Sequence, residues 1–234
     1  MNETHSPPAS TTTPAATRRF TAWPLLISAS GALGLVAAFL EGRPDNDPSF
    51  EYPLTAEDLL SIDPLPYRIS GALGFVLALL LLVTAAVWRH RVERRFTGSV
   101  GASLVSFGVL ATAALVTLAY GWRGAIGDYF PGGPEEDTYD LEGLYNYYIL
   151  TDFSPYIAFI PLVASAYGLT WMAFRERLVS RGLGAAAGLL ATGGLVFSFV
   201  TGVPGIPGAV VMGLLPAGIW LAFGRSAITM DDGR

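Results

Sequence analysis

Uncharged apolar runs long enough to cross a hydrocarbon core of about 30 Å recur six times along the chain. They are Ala22–Leu40, Ile69–Trp88, Ser99–Gly121, Phe153–Phe174, Gly182–Gly202 and Pro207–Gly224. None contains Asp, Glu, Arg or His. No run alternates apolar and polar positions as a barrel strand would, and lipid offers an exposed backbone no hydrogen-bond partner, so each run predicts a helix. The fold class expected is all-α, a polytopic transmembrane bundle of six spans covering residues 20–225, with tails at 1–19 and 226–234. The last run is the shortest and holds Pro216, which makes it the weakest of the six.

Between the runs the pattern breaks into shorter elements. The loop after span 1 begins with turn formers from Gly42 to Pro48 and then reads Thr55-Ala56-Glu57-Asp58-Leu59-Leu60. Thr55 can cap a backbone N–H and Asp58 occupies the reciprocal position three residues on, so a helix of about two turns is expected, stopped before Pro64 and Pro66. After span 3, Leu141, Leu144, Tyr145 and Tyr148 fall at i, i+3, i+4 and i+7, the signature of a helix with one apolar face, expected to lie on the membrane surface. Residues 1–19 are a Ser/Thr/Pro/Ala tract with almost nothing to bury and predict a disordered tail.

Composition agrees with a membrane chain and narrows its chemistry. Of 234 residues 52% are apolar and 14% charged, with a mean hydropathy of +0.47. Cysteine is absent, which excludes disulfides, thiolate nucleophiles and Cys-based zinc sites. All 14 basic residues are arginine, so Schiff-base chemistry and a P-loop lysine are excluded as well.

Charge placement gives an orientation. Arg18 and Arg19, the four arginines from Arg89 to Arg95, Arg175, Arg177 and Arg181, and Arg225 and Arg234 all fall on one side of a six-span chain. Only Arg43, Arg68 and Arg123 fall on the other, together with 14 of the 19 acidic residues. Arginine-rich flanks stay in the cytoplasm, so both termini are expected there, in a multi-pass protein of the cytoplasmic membrane. Trp23, Trp88, Trp171 and Trp220 near the inner ends of spans, and Trp122 at an outer end, suit the headgroup level. Span 1 is expected to remain uncleaved, since 19 apolar residues exceed a signal-peptide core and Val36 to Gly42 is a poor cleavage site.

Small residues set how the spans meet. Ser30-Gly31-Ala32-Leu33-Gly34 in span 1 is repeated as Ser70-Gly71-Ala72-Leu73-Gly74 in span 2, and Gly184 and Gly188 form a GxxxG pair in span 5. Gly205, Ala209, Gly213 and Ala217 make a small-residue stripe along span 6. Such spacings let backbones approach closely.

Chemistry-bearing patterns are few. A proton pathway or a charged-substrate transporter places ionisable groups inside the bilayer, and the runs hold none. Neutral substrates could be met by Thr84, Ser103, Ser106, Thr112, Thr117, Ser165, Tyr167, Thr170, Thr192 and Ser198, although such hydroxyls more often bond to the preceding helical turn or join helices. Pro155, Pro161, Pro204, Pro207 and Pro216 could interrupt helices and expose backbone dipoles. Gly124-Ala125-Ile126-Gly127-Asp128 lacks the spacing of an intramembrane aspartyl protease, and no second aspartate lies within a span. His90 sits among arginines without further ligands. Asp137, Asp140 and Glu142 are close together but lack the spacing and glycine of a calcium loop. No catalytic, cofactor-binding or metal-binding residue is therefore assigned, no cofactor is expected, and the ligand-binding residues are unknown.

The order of elements resembles a widespread set of uncharacterised prokaryotic six-helix membrane proteins, the domain of unknown function 4386 type. The similarity is carried by Thr55 to Leu60 leading into Tyr67-Arg68-Ile69-Ser70-Gly71, by Tyr167-Gly168-Leu169-Thr170-Trp171 with the turn Arg175 to Gly184, and by the ending Ile219-Trp220-Leu221-Ala222-Phe223. It spans residues 22–224, and the long acidic loop between spans 3 and 4 departs from it. The resemblance implies topology and no mechanism.

The function expected is a non-enzymatic membrane component that works through helix contacts with its own copies or with other membrane proteins. The alternative is a permease or lipid-handling protein for neutral or weakly polar molecules. The lipid bilayer is a partner in both, and nucleic acid in neither.

Overall fold

The computed structural model describes residues 20–40 and 53–230. The tail at 1–19, the turn formers from Gly42 to Pro48 and residues 231–234 lie outside them. Eight α-helices follow: α1 (Leu25–Phe39), α2 (Pro64–Trp88), α3 (Val100–Tyr129), α4 (Leu141–Asp152), α5 (Ser154–Ile157), α6 (Leu162–Trp171), α7 (Arg181–Thr201) and α8 (Val211–Phe223). There is no strand among the described residues. Five helical stretches, Pro64–Glu93, Val100–Tyr129, Leu141–Glu176, Arg181–Thr201 and Ile206–Phe223, are long and apolar enough to cross a membrane. The first run is shorter than expected, since α1 has 15 residues and at 1.5 Å per residue reaches only about 22 Å. Phe107, Leu189 and Phe199 face outward, with Phe199 91% exposed, an arrangement that a hydrocarbon solvent permits and water does not.

Helix starts follow local chemistry. Asp63, Ser99, Asp140 and Ser180 each accept a hydrogen bond from a backbone N–H two or three residues on, at 2.9, 3.0, 2.8 and 3.3 Å, and so cap α2, α3, α4 and α7. Glu176 adds a carboxylate at the start of α3, accepting from the Ser99 hydroxyl and from Gly101 N–H. Gly202, at φ 74°, ends α7 in the left-handed conformation that glycine adopts without strain.

Several boundaries differ from the hydropathy pattern. The segment after Thr55 forms one 3₁₀ turn, Glu57–Ser61, rather than two α turns. Pro64 opens α2, because the first turn of a helix has no need of its N–H. α3 runs past Gly121 to Tyr129 and takes Arg123 and Asp128 into the helix. Span 4 is divided: α5 and α6 are separated by turns at Ala158–Pro161, where Pro161 opens α6. Span 6 begins as the 3₁₀ turn Ile206–Val210, and Pro216 is carried inside α8. α2 and α6 each finish in a π turn, Arg89–Glu93 and Met172–Glu176.

The spans form a ring in the order α1, α2, α3, α6, α7, α8, with α8 returning to α1. The repeated glycine motif serves a different neighbour on each helix. Gly31 lies against the Leu214–Leu215 backbone of α8, whereas Gly71 meets Gly124 and Gly74 meets the Tyr120 ring of α3. α7 and α8 touch only thinly, and the Ile206–Val210 turn fills the seam between them at one end.

Candidate functional site

The two ends of the bundle differ chemically. At one end, where α2 passes to α3 and α6 to α7, lie Arg89, Arg91, Arg94, Arg95, Arg175, Arg177 and Arg181, with Arg225 following α8. The chain after α8 folds back there: Ala227 N–H donates to Leu178 O at 3.0 Å, Thr21 Oγ1 donates to Thr229 O at 3.1 Å, and Ile228 is buried. This return strand of contacts holds Arg225 to the turn that carries Arg175, Arg177 and Arg181. None of these four forms an ion pair among the described residues. Trp88 lies at this end too, but it is buried rather than at a lipid interface, its indole N–H donating to Ala102 O at 3.0 Å and its ring edge-on to Trp23.

The acidic end is closed by a small second core. Leu59, Ile62, Tyr67, Ile126, Phe130, Leu144 and Tyr148 pack together there. Thus α4 turns its apolar face toward protein instead of lying against lipid, while Ile149 and Leu150 on its other side are exposed. Tyr145 and Tyr147 fix it further, with hydroxyls donating to Leu54 O at 3.0 Å and Trp122 O at 3.1 Å. Beneath this cap Arg123 is 1% exposed, its guanidinium 5.4 Å from the centre of the Tyr67 ring and its Nη2 3.5 Å from Leu40 O, just past the C-terminus of α1. Arg123 lies beyond the apolar run that ends at Gly121, yet it is part of α3. Arg123, Ile126, Gly127 and Phe130 are spaced along one buried helix face, and that periodicity was the signal for the longer helix.

The candidate hydroxyls are largely engaged in holding the bundle. Thr84, Thr112, Thr117 and Thr170 donate to the carbonyl four residues earlier, at 2.8 to 2.9 Å. Ser165 crosses to Val105 O at 3.0 Å, Thr170 also reaches Gly184 O, Tyr167 pairs with Thr192, and Ser198 bonds Val203 O. The small-residue faces are occupied in the same way. Gly184 lies against Ala173, Gly188 against Thr170, Gly205 against Tyr156 and Gly213 near Leu190, all within this chain. His90 is exposed, with Nδ1 3.4 Å from Arg94 Nη1, and no group of three His, Asp or Glu side chains gathers among the described residues. Asp140 caps α4, and Glu136 accepts from Gly132 N–H.

The crevices found among the described residues have apolar walls. In the seam between α7 and α8, with α6 as its floor, lies a crevice of about 210 Å³ bordered by Leu183, Ala186, Leu190, Gly213, Leu214 and Trp220. It adjoins a narrow void of about 40 Å³ at the centre of the ring, with which it shares Ser165, Leu169, Leu214 and Ala217. Ser30 and Thr84 face each other across that void at 3.4 Å, each also bonded to its own helix. A second crevice of about 280 Å³ lies toward the acidic end, between α1 and the α5 region, lined by Leu35, Phe39, Phe153, Tyr156 and Met212 among others. Neither crevice has a signature in the sequence, because each exists only where helices fail to meet.

No protein-family model, no curated protein and no solved structure matches the chain. The resemblance drawn from its motifs rests on those motifs alone.

Proposed function

We propose that this chain is a non-enzymatic, six-span protein of the cytoplasmic membrane, both termini on the cytoplasmic side, that handles a lipid or another weakly polar molecule in the seam between α7 and α8. The observation that carries the reading is the crevice itself. Its walls are hydrocarbon and indole, and its one lining serine is already bonded to Val105 O. Such a surface suits an apolar ligand and gives a strongly polar one nothing to exchange for its water. The arginine-rich end supports the orientation, by the same positive-inside argument that the sequence supplies.

Native mass spectrometry of the protein released from lipid nanodiscs tests the reading. The expected result is a stoichiometric retained lipid or apolar molecule, absent from Ala186→Phe, a variant that fills the crevice from α7. A wild-type spectrum containing only the bare chain would sink it. The reading by partner contact keeps one supporting observation: α7 is the least covered of the candidate spans, and Gly193 on it has open space around it. A defined oligomer that persists in Ala186→Phe and is lost in Gly193→Leu would favour that reading instead.

A further inference from the structure

We infer that the occupant of the α6–α7–α8 crevice is an anionic phospholipid, one acyl chain in the crevice and its phosphate on Arg177, Arg181 and Arg225. The inference rests on the lipid-handling reading and names the class of lipid. Leu183 and Trp220 mark the end of the crevice nearest the arginine-rich turn. Arg181, the first residue of α7, stands two residues before Leu183, about 3 Å along the helix axis, and Arg225 follows the end of α8, five residues after Trp220. From Leu183 to Leu190 the crevice follows α7 for about 10 Å, enough for a stretch of acyl chain and far short of a span.

Charge selects the headgroup. On the far side of the ring, the α2–α3 turn engages Arg89 with Glu93, Arg94 with His90, and Arg95 with Met230 O and the Phe96 ring, and of its four arginines leaves Arg91 without a partner among the described residues. The cations beside the seam have no such partner among the described residues. The Ala227–Leu178 backbone bond ties the chain just after Arg225 to the turn between Arg177 and Arg181, and the Trp220 ring lies beside Gly182. An acyl chain entering there carries its phosphate to the level of these guanidiniums, whose planar forks suit phosphate oxygens. The larger crevice lies toward the acidic end, and no arginine is among the described residues that line it.

The test uses full-length protein in nanodiscs of equal phosphatidylglycerol and phosphatidylcholine, with retained lipid identified by mass. The expected result is one lipid per chain, phosphatidylglycerol preferred, the preference falling about fivefold for each arginine lost. In the triple variant Arg177→Gln/Arg181→Gln/Arg225→Gln lipid should still be retained, but without preference. Arg181→Gln alone serves if the triple variant does not insert, and Arg91→Gln should leave the preference intact. Retention in the ratio of the disc, or equal loss of preference in Arg91→Gln, would overturn the inference while lipid handling stands. No retained lipid would remove both, and a second chain lost on Ala186→Phe would make the crevice a dimer contact and overturn the inference.

Discussion

A methyl group on Gly71 would lie 2.5 Å from Gly124 Cα, and one on Gly74 would lie 2.1 Å from Tyr120 Cβ, so α2 and α3 are held at a separation that only hydrogen allows. Gly71→Ala should therefore cost about 1–3 kcal/mol in reversible unfolding from mixed micelles, as overpacking does. Gly193→Ala, with nothing within 4 Å, should be neutral or gain up to about 1 kcal/mol from helix propensity. Equal losses at the two sites would show that close approach is not what Gly71 provides. Asp58 supplies a second residue-level test. The Thr55 backbone N–H at 2.6 Å, and then its hydroxyl at 2.8 Å, hold the Asp58 carboxyl below the ordinary aspartate range. A depressed pKa means that this local contribution is present above the ordinary aspartate value and fades as pH falls through the lowered one. Thr55→Val keeps the backbone bond and should return the value only partway, read by NMR titration. The pairing of Thr55 with Asp58 was legible in the sequence, but Thr55 caps no backbone N–H: both bonds run from Thr55 to the Asp58 carboxylate, and the turn is 3₁₀ with Leu59 packed into the second core.

Among the elements, α4 changes most between pattern and fold. Its i, i+3, i+4, i+7 spacing was readable, but what the face would meet was not, because the residues that receive it come from the end of α3, the start of α2 and the Glu57–Ser61 turn before it. Leu144→Ala should cost about 2–5 kcal/mol. If the cap is a separate cooperative unit, hydrogen exchange should rise over 141–152 while amides of α2 and α3 near mid-span stay protected. Uniform loss throughout the bundle would show that cap and spans unfold together. The prolines were visible too, yet their effects diverge: Pro64 begins a helix, Pro161 stands at a break, and Pro216 is absorbed within α8. Neighbouring helices decide among these outcomes, and a single run of sequence does not contain them.

For the molecule as a whole, the helical class and most of the span positions were legible because uncharged runs of this length have one solution in lipid. The ring order was not. The helices meet through glycine, alanine and serine, residues that permit contact without specifying a partner, so identical motifs in α1 and α2 lead to different neighbours. Topology can be measured directly, since the chain has no native cysteine to interfere. With both termini cytoplasmic, Asn146→Cys should react with a membrane-impermeant maleimide on intact cells and Ser10→Cys only after lysis. The reverse pattern would invert the proposed orientation.

The ring closes between its first helix and its last, through Ser28 Oγ donating to Leu215 O at 2.8 Å across 187 residues and Thr21 N–H donating to Ala222 O. During synthesis at about 5–20 residues per second, α1 therefore waits roughly 10 to 40 s for α8 to be made. Throughout that interval its Ser28 hydroxyl and the bare backbone at Gly31 face lipid or the insertion machinery rather than their final neighbour. A ribosome stalled before Val211 would leave a chain in which α1 still lacks the helix that covers Ser28 and Gly31.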